Sequence, residues 1–190
     1  MSKKSLGNKT ASGVFWRLLE RLCAQGVSFI LSIILARILM PSDYGVVALL
    51  LIFMNISYVF VVSGFGEALI QAKDVGKKDF STVFYCNLAV GFILYAILFF
   101  AAPQIAKFYG NPDLIKMLRV LALSLPIMSF SNIQHAYVQR KMLFRKFFWS
   151  TLSGTLISGV VGITIAYLGY GPWALIAQNL TNTIIDSIVL

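Results

Sequence analysis

Few side chains in this 190-residue chain could do covalent chemistry. His135 is the only histidine. Imidazole changes charge nearer to neutral pH than other side chains, so a proton site is the chemistry it offers. The plainer reading is a histidine at a helix end, bonded to a neighbour. Cys23 and Cys86 lie inside apolar runs and form no CxxC pair. With a single histidine they match no usual zinc spacing, so no metal is expected and both read as packed thiols. No convincing carboxylate pair offers acid–base work, and no cofactor motif is present.

What remains is binding chemistry. Arg17, Arg21, Gln25, Ser28 and Ser32 fall within about 80° of one another on a helix, with Glu20 at the edge of that face. The planar fork of an arginine grips phosphate oxygens with two bonds, so this face suits an anionic headgroup. Its structural alternative is a pair of arginines snorkelling to the inner headgroups. Ser124, Ser131, Asn132, His135 and Gln139 share a second face; Gln178, Asn182 and Asp186 share a third. Lipid offers such groups no partners, so polar stripes turn toward other helices or toward water. Asp186 falls near the expected middle of its span, where a carboxylate is expensive. The candidates for a substrate path are therefore Arg17, Arg21, Gln25, Asn182 and Asp186. The alternative is helix–helix hydrogen bonding.

The elements that must carry these residues are membrane helices. Hydrophobic residues make up 58% of the chain and charged residues 12%. A soluble domain carries about 45–50% apolar and about 25% charged residues, so lipid is the expected solvent. A span needs about 20 mostly apolar residues. Six runs qualify, near 16–40, 45–64, 81–105, 114–138, 149–168 and 173–190. Pro41-Ser42-Asp43, the polar stretch 71–79, Gly110-Asn111-Pro112-Asp113, the basic stretch 139–146 and Gly169-Tyr170-Gly171-Pro172 separate them. Pro126 predicts a kink in the fourth. The first run has no small-residue cleavage site behind it, so it reads as a retained span. Ser150, Gly154, Ser158, Gly162 and Ala166 repeat every four residues, which lets a crossing backbone approach the fifth helix closely. The expected fold is all-α: a polytopic membrane helix bundle of about six transmembrane helices, with residues 1–190 as a single transmembrane domain. The last run stays apolar to Leu190, so a further C-terminal part is expected.

The net charge is +9. In a soluble protein that balance would raise nucleic acid. Here the basic residues cluster between apolar runs and read as topology, facing the anionic cytoplasmic leaflet. With the N-terminus inside, twelve of the 16 basic residues lie on the inner side. The outer side holds Arg37, Lys107, Lys116 and Arg119. The chain is therefore expected in a bacterial cytoplasmic (inner) membrane, with its N-terminus cytoplasmic and membrane lipid as its surroundings.

Several segments together resemble one family. They are Gly13-Val14-Phe15-Trp16, the run from Leu35 to Gly45 (LARILMPSDYG), Ser63 to Gln71 (SGFGEALIQ) and Ala102 to Tyr109 (APQIAKFY). Leu118-Arg119-Val120-Leu121, Gln139 to Arg145 (QRKMLFR) and Leu168 to Leu175 (LGYGPWAL) complete the set. The chain resembles the polysaccharide transporter branch (O-antigen, colanic and teichuronic acid flippases) of the multidrug/oligosaccharidyl-lipid/polysaccharide exporter superfamily. Glu67 stands where that family carries a small residue. The resemblance implies two pseudo-symmetric helix bundles around a central cavity, of which this chain is the first. It implies alternating access that carries polyprenyl-pyrophosphate-linked oligosaccharide across the bilayer, driven by a coupling ion, H+ or Na+. The motifs also have local readings. Arg37 ends the first helix near the negative end of its dipole and is placed to pair with Asp43. Gly169, Gly171 and Pro172 make a tight turn, with Trp173 as an interfacial anchor.

Three other functions fit a membrane bundle. A drug exporter of the same superfamily would share the fold but not the Leu-Ala-Arg and Gly-x-Gly-x-Trp segments. A membrane-bound cell-envelope enzyme would need nucleophiles or acid–base groups at the membrane face. A non-transporting scaffold would not need polar faces on three helices.

Overall fold

The computed structural model describes residues 3–62, 77–140 and 144–189, and within them the side chains of residues 18–19, 21–62, 81–138 and 147–189. These segments form seven helices: α1 Lys3–Ile38, α2 Pro41–Val62, α3 Lys77–Tyr109, α4 Asp113–Ala122, α5 Ser124–Arg140, α6 Phe144–Tyr167 and α7 Trp173–Val189. Among the described residues five spans are long and apolar enough to cross a membrane: Arg21–Ile38, Pro41–Val62, Ser81–Tyr109, Asp113–Val138 and Phe147–Tyr167. The sixth expected span is α7, whose 17 residues reach about 25 Å.

Local chemistry sets the breaks. Pro41 opens α2, where its missing N–H is not needed. Asp43 reaches back to accept the Met40 backbone N–H at 3.0 Å. That is one half of a capping box, and it puts a negative charge on the positive end of the helix dipole. Asp43 makes no ion pair with Arg37 among the described residues. The fourth expected span is broken at Leu123 into α4 and α5. Pro126 causes this: it has no N–H to offer the Ala122 carbonyl four residues back. At the break Ser124 Oγ donates to the Leu121 carbonyl at 2.7 Å.

Pro103 lies inside α3, yet that helix runs on to Tyr109. The carbonyl it deprives is that of Phe99. Arg119 Nε of α4 donates to this carbonyl at 3.3 Å, and its guanidinium sits 4.0 Å from the Phe99 ring centre. A neighbouring helix thus satisfies the freed backbone group, the condition for a proline to survive inside a span.

In the packing, α6 is flanked by α7 on one side and by α1 on the other. α3 lies along α4 and α5, α7 reaches both α4 and α5, and α2 touches α3, α4 and α5. One core joins Leu50, Val61, Ala102, Leu118, Leu125 and Ile176, all buried. A smaller one joins Leu35, Leu39, Ala166 and Ala174 at the α1–α6–α7 contact. Large apolar side chains such as Phe29, Phe60, Phe92, Phe100 and Val160 are exposed. A soluble protein would bury them, whereas a bilayer solvates them. Two turns meet at one end of the bundle. Gly171 has φ of +55°, and a Cβ there would stand 3.2 Å from Asp43 Oδ1. The Pro41-Ser42-Asp43 turn and the Gly169–Pro172 turn are therefore two halves of one contact.

Candidate substrate cavity

The cavity is built around the antiparallel pair α6 and α7. Small residues on α6 face the polar stripe of α7 in a regular register. Ser150 meets Asp186, Gly154 meets Asn182, and Gly162 meets Gln178. Ser150, Ser158 and Ala166 are buried. A Cβ on Gly154 would stand 2.7 Å from Asn182 Oδ1, and one on Gly162 would stand 3.0 Å from Gln178 Cβ. The absence of side chains on α6 is what leaves room for amides on α7.

Two polar cavities lie along this pair. The larger, about 490 Å³, is bounded by α1, α2, α4, α6 and α7. Ser28, Tyr44, Thr155, Ser158, Gln178, Asn179 and Asn182 give it hydroxyl and amide groups, and among the described residues no charged side chain lines it. Tyr44 borders this cavity, and its hydroxyl is buried with no hydrogen-bond partner among the described residues. The smaller, about 320 Å³, lies toward the C-terminal end of α7, among Tyr58, Ser131, Asn132, His135, Thr151 and Asp186. Asn182 borders both.

The smaller cavity holds the one histidine–carboxylate contact among the described residues. His135 Nε2 of α5 lies 2.8 Å from Asp186 Oδ2 of α7. Ser150 Oγ of α6 donates to Asp186 Oδ1 at 2.5 Å and lies 3.2 Å from the Asp186 carbonyl. The imidazole stacks on Phe147, with ring centres 5.3 Å apart. Asn132 Nδ2 reaches the Val61 carbonyl of α2 at 3.2 Å, so α2 is tied to the same region.

The structure thus brings Asn182 and Asp186 together with His135, but not with the arginine face. Arg21 and Gln25 are exposed on α1 and line neither cavity; Ser28, further along that face, does line the larger one. The side chains of Arg17, Glu20 and Gln139 lie outside the described residues, as does the segment Ser63–Gln71. Among the described residues no group of histidine, cysteine and carboxylate side chains could hold a metal ion. Sequence reasoning missed Tyr44, Tyr58, Thr151 and Thr155. An isolated hydroxyl within an apolar run gives little signal, and only the packing shows which of them share a cavity.

A lipid-solvated helix bundle with hydroxyl- and amide-lined cavities between its helices defines a polytopic membrane protein. Sequence comparison places it more narrowly. The family model described as polysaccharide biosynthesis protein matches residues 34–190, and the chain belongs to that family. It is 30% identical to the succinoglycan biosynthesis transport protein ExoT of Rhizobium meliloti, over 90% of this chain and 35% of the relative. It is 22% identical to the lipopolysaccharide biosynthesis protein WzxC of Escherichia coli, over 97% of this chain and 37% of that protein. With the teichuronic acid biosynthesis protein TuaB of Bacillus subtilis, identity is 25% over 96% of this chain and 37% of the relative. The chain thus spans little more than a third of the length of these relatives. No solved structure matches it.

Proposed function

We propose that this chain forms the first helix bundle of a transporter that moves lipid-linked oligosaccharide units across a bacterial cytoplasmic membrane. The observation that carries this reading is the uncharged, hydrogen-bonding wall of the larger cavity, set inside a lipid-solvated bundle. Sugars present hydroxyls that both donate and accept, and the amides of Gln178, Asn179 and Asn182 with the hydroxyls of Ser28, Tyr44, Thr155 and Ser158 match them in kind.

A polyprenyl pyrophosphate carrier would need cations. Among the described residues the cavity wall has none, so Arg17 and Arg21, on the α1 face that leads to Ser28, are assigned to the anionic headgroup. The relatives' names, a transport protein among them, favour transport over an enzyme. An N-terminus on the cytoplasmic side agrees with the distribution of lysine and arginine. The second bundle of such a transporter would close the other wall of the cavity.

The test is polymer export by the complete protein carrying Gln178→Leu, Asn182→Leu or both. Export is expected to fall at least several-fold, with lipid-linked repeat units accumulating and membrane insertion unchanged. Full export by the double variant would remove the cavity from the substrate path.

A further inference from the structure

The geometry points to the His135–Asp186–Ser150 cluster as a proton-binding site that couples the charge of one histidine to the packing of α5, α6 and α7. The inference rests on the transport reading for its purpose, but not for its existence.

Three observations carry it. First, the cluster joins three helices through two side-chain contacts: His135 to Asp186 at 2.8 Å and Ser150 to Asp186 at 2.5 Å. A change in the charge of His135 therefore acts on a contact between elements, not within one. Second, His135 and Asp186 both line a cavity of about 320 Å³, and their side chains are 31% and 28% exposed, which leaves a route for protons through cavity water. Third, Asn182 borders both this cavity and the larger one, so the cluster adjoins the proposed substrate space.

The proton count is simple. In the neutral ring Nε2–H donates to the Asp186 carboxylate, and the pair carries one negative charge. A proton from cavity water adds to the lone pair of Nδ1, giving an imidazolium beside the carboxylate and a neutral pair. Loss of that proton to water restores the first state. Inside a low-dielectric bundle the difference between an ion pair and a hydrogen bond is large enough to shift helix packing. Facing the pair from the neighbouring elements are Tyr58 of α2, Ser131 and Asn132 of α5, and Thr151 of α6. Among the described residues Tyr58 is the other titratable group on this cavity, and no lysine or arginine lines it. A sodium ion fits less well, because each carboxylate oxygen already faces a hydrogen donor, Ser150 Oγ on Oδ1 and His135 Nε2 on Oδ2. Sodium is bound by oxygen ligands.

His135 is the only histidine of the chain, which makes the site directly observable. The complete protein, carrying a purification tag free of histidine, is labelled with nitrogen-15 histidine in nanodiscs; a His135→Gln sample identifies the signal. The ring-nitrogen signals of His135 are expected to move reversibly with pH, and Asp186→Asn should change that response. In sodium-free proteoliposomes, a pH gradient should speed transfer of a fluorescent polyprenyl-pyrophosphate oligosaccharide several-fold. That stimulation should vanish in His135→Gln and in His135→Asn, whichever retains the native gel-filtration profile. Nitrogen signals that stay flat with pH would overturn the proposal. So would stimulation that survives in a folded variant, or stimulation by a sodium gradient alone. The spectroscopic arm needs no substrate. A protein whose His135 titrates but which moves no lipid-linked sugar would refute the transport reading and leave the proton site standing.

Discussion

Alanine at Gly154 and at Gly162 should behave differently, although both glycines lie in the same α6–α7 seam. Either substitution gains about 1 kcal/mol of helix propensity. A Cβ on Gly154 would meet Asn182 Oδ1 at 2.7 Å, with its next neighbours at 3.5 Å and 3.8 Å. The close atom is the tip of an amide that can turn, at about 0.5–1.5 kcal/mol if it leaves its rotamer. The net effect on stability is then within about 1 kcal/mol of zero. A Cβ on Gly162 would meet Gln178 Cβ, Cγ and Cδ at 3.0, 3.3 and 3.4 Å. The first of these is fixed to the α7 backbone, so the helices must part slightly. Overpacking of this kind costs about 1–3 kcal/mol, leaving a net loss of roughly 0–2 kcal/mol. Gly154→Leu adds carbons that no amide rotation can accommodate and should lower folded yield. The displaced Asn182 amide in Gly154→Ala turns into the junction of the two cavities, so export should drop while stability holds. Equilibrium unfolding in detergent, run beside polymer export, separates the two effects. A Gly154→Ala protein less stable than Gly162→Ala would refute the reasoning.

Three further outcomes are expected. Arg119→Leu should cost about 1.5–3 kcal/mol, the value of a hydrogen bond to a charged group, because it strands the Phe99 carbonyl. Pro103→Ala restores an N–H for that carbonyl and should recover part of the loss; equal damage in the single and double variants would show that the arginine acts elsewhere. In a background lacking Cys23 and Cys86, single cysteines at Gly110 and Gly171 should react with an impermeant reagent from outside, and one at Lys77 should not. The reverse pattern sinks the proposed orientation. Arg17→Lys with Arg21→Lys should reduce export if the guanidinium forks grip phosphate, whereas full export by both the double lysine and the double glutamine variants would take these residues out of the substrate path.

The spans and their breaks were legible in the sequence because each rests on local rules. Apolar length gives the spans, and Pro126 places the α4–α5 break within a few residues. Pro103 was less transparent. The sequence reading ends that helix near 105, but it continues to Tyr109 because Arg119, on another helix, takes the orphaned carbonyl. The α6–α7 seam lay half visible. Both stripes were evident, and a hairpin turning near residue 170 sets residues that sum to about 340 opposite one another. The His135–Asp186 contact had no such guide. Its partners sit 51 residues apart with α6 between them, and only the packing of α5 against α7 brings them together.

The contact between the two turns has a consequence for how a lipid-borne molecule would reach the larger cavity. α1 and α2 are held together at the Pro41 turn, which is braced by Gly171, and beyond it the two helices scarcely touch. They stand like the arms of a pair of tongs joined at the top. Ser28 on one arm and Val47, Ala48 and Leu51 on the other line the same cavity. On the transport reading proposed above, a polar headgroup would enter between these arms while its isoprenoid tail stayed among the acyl chains.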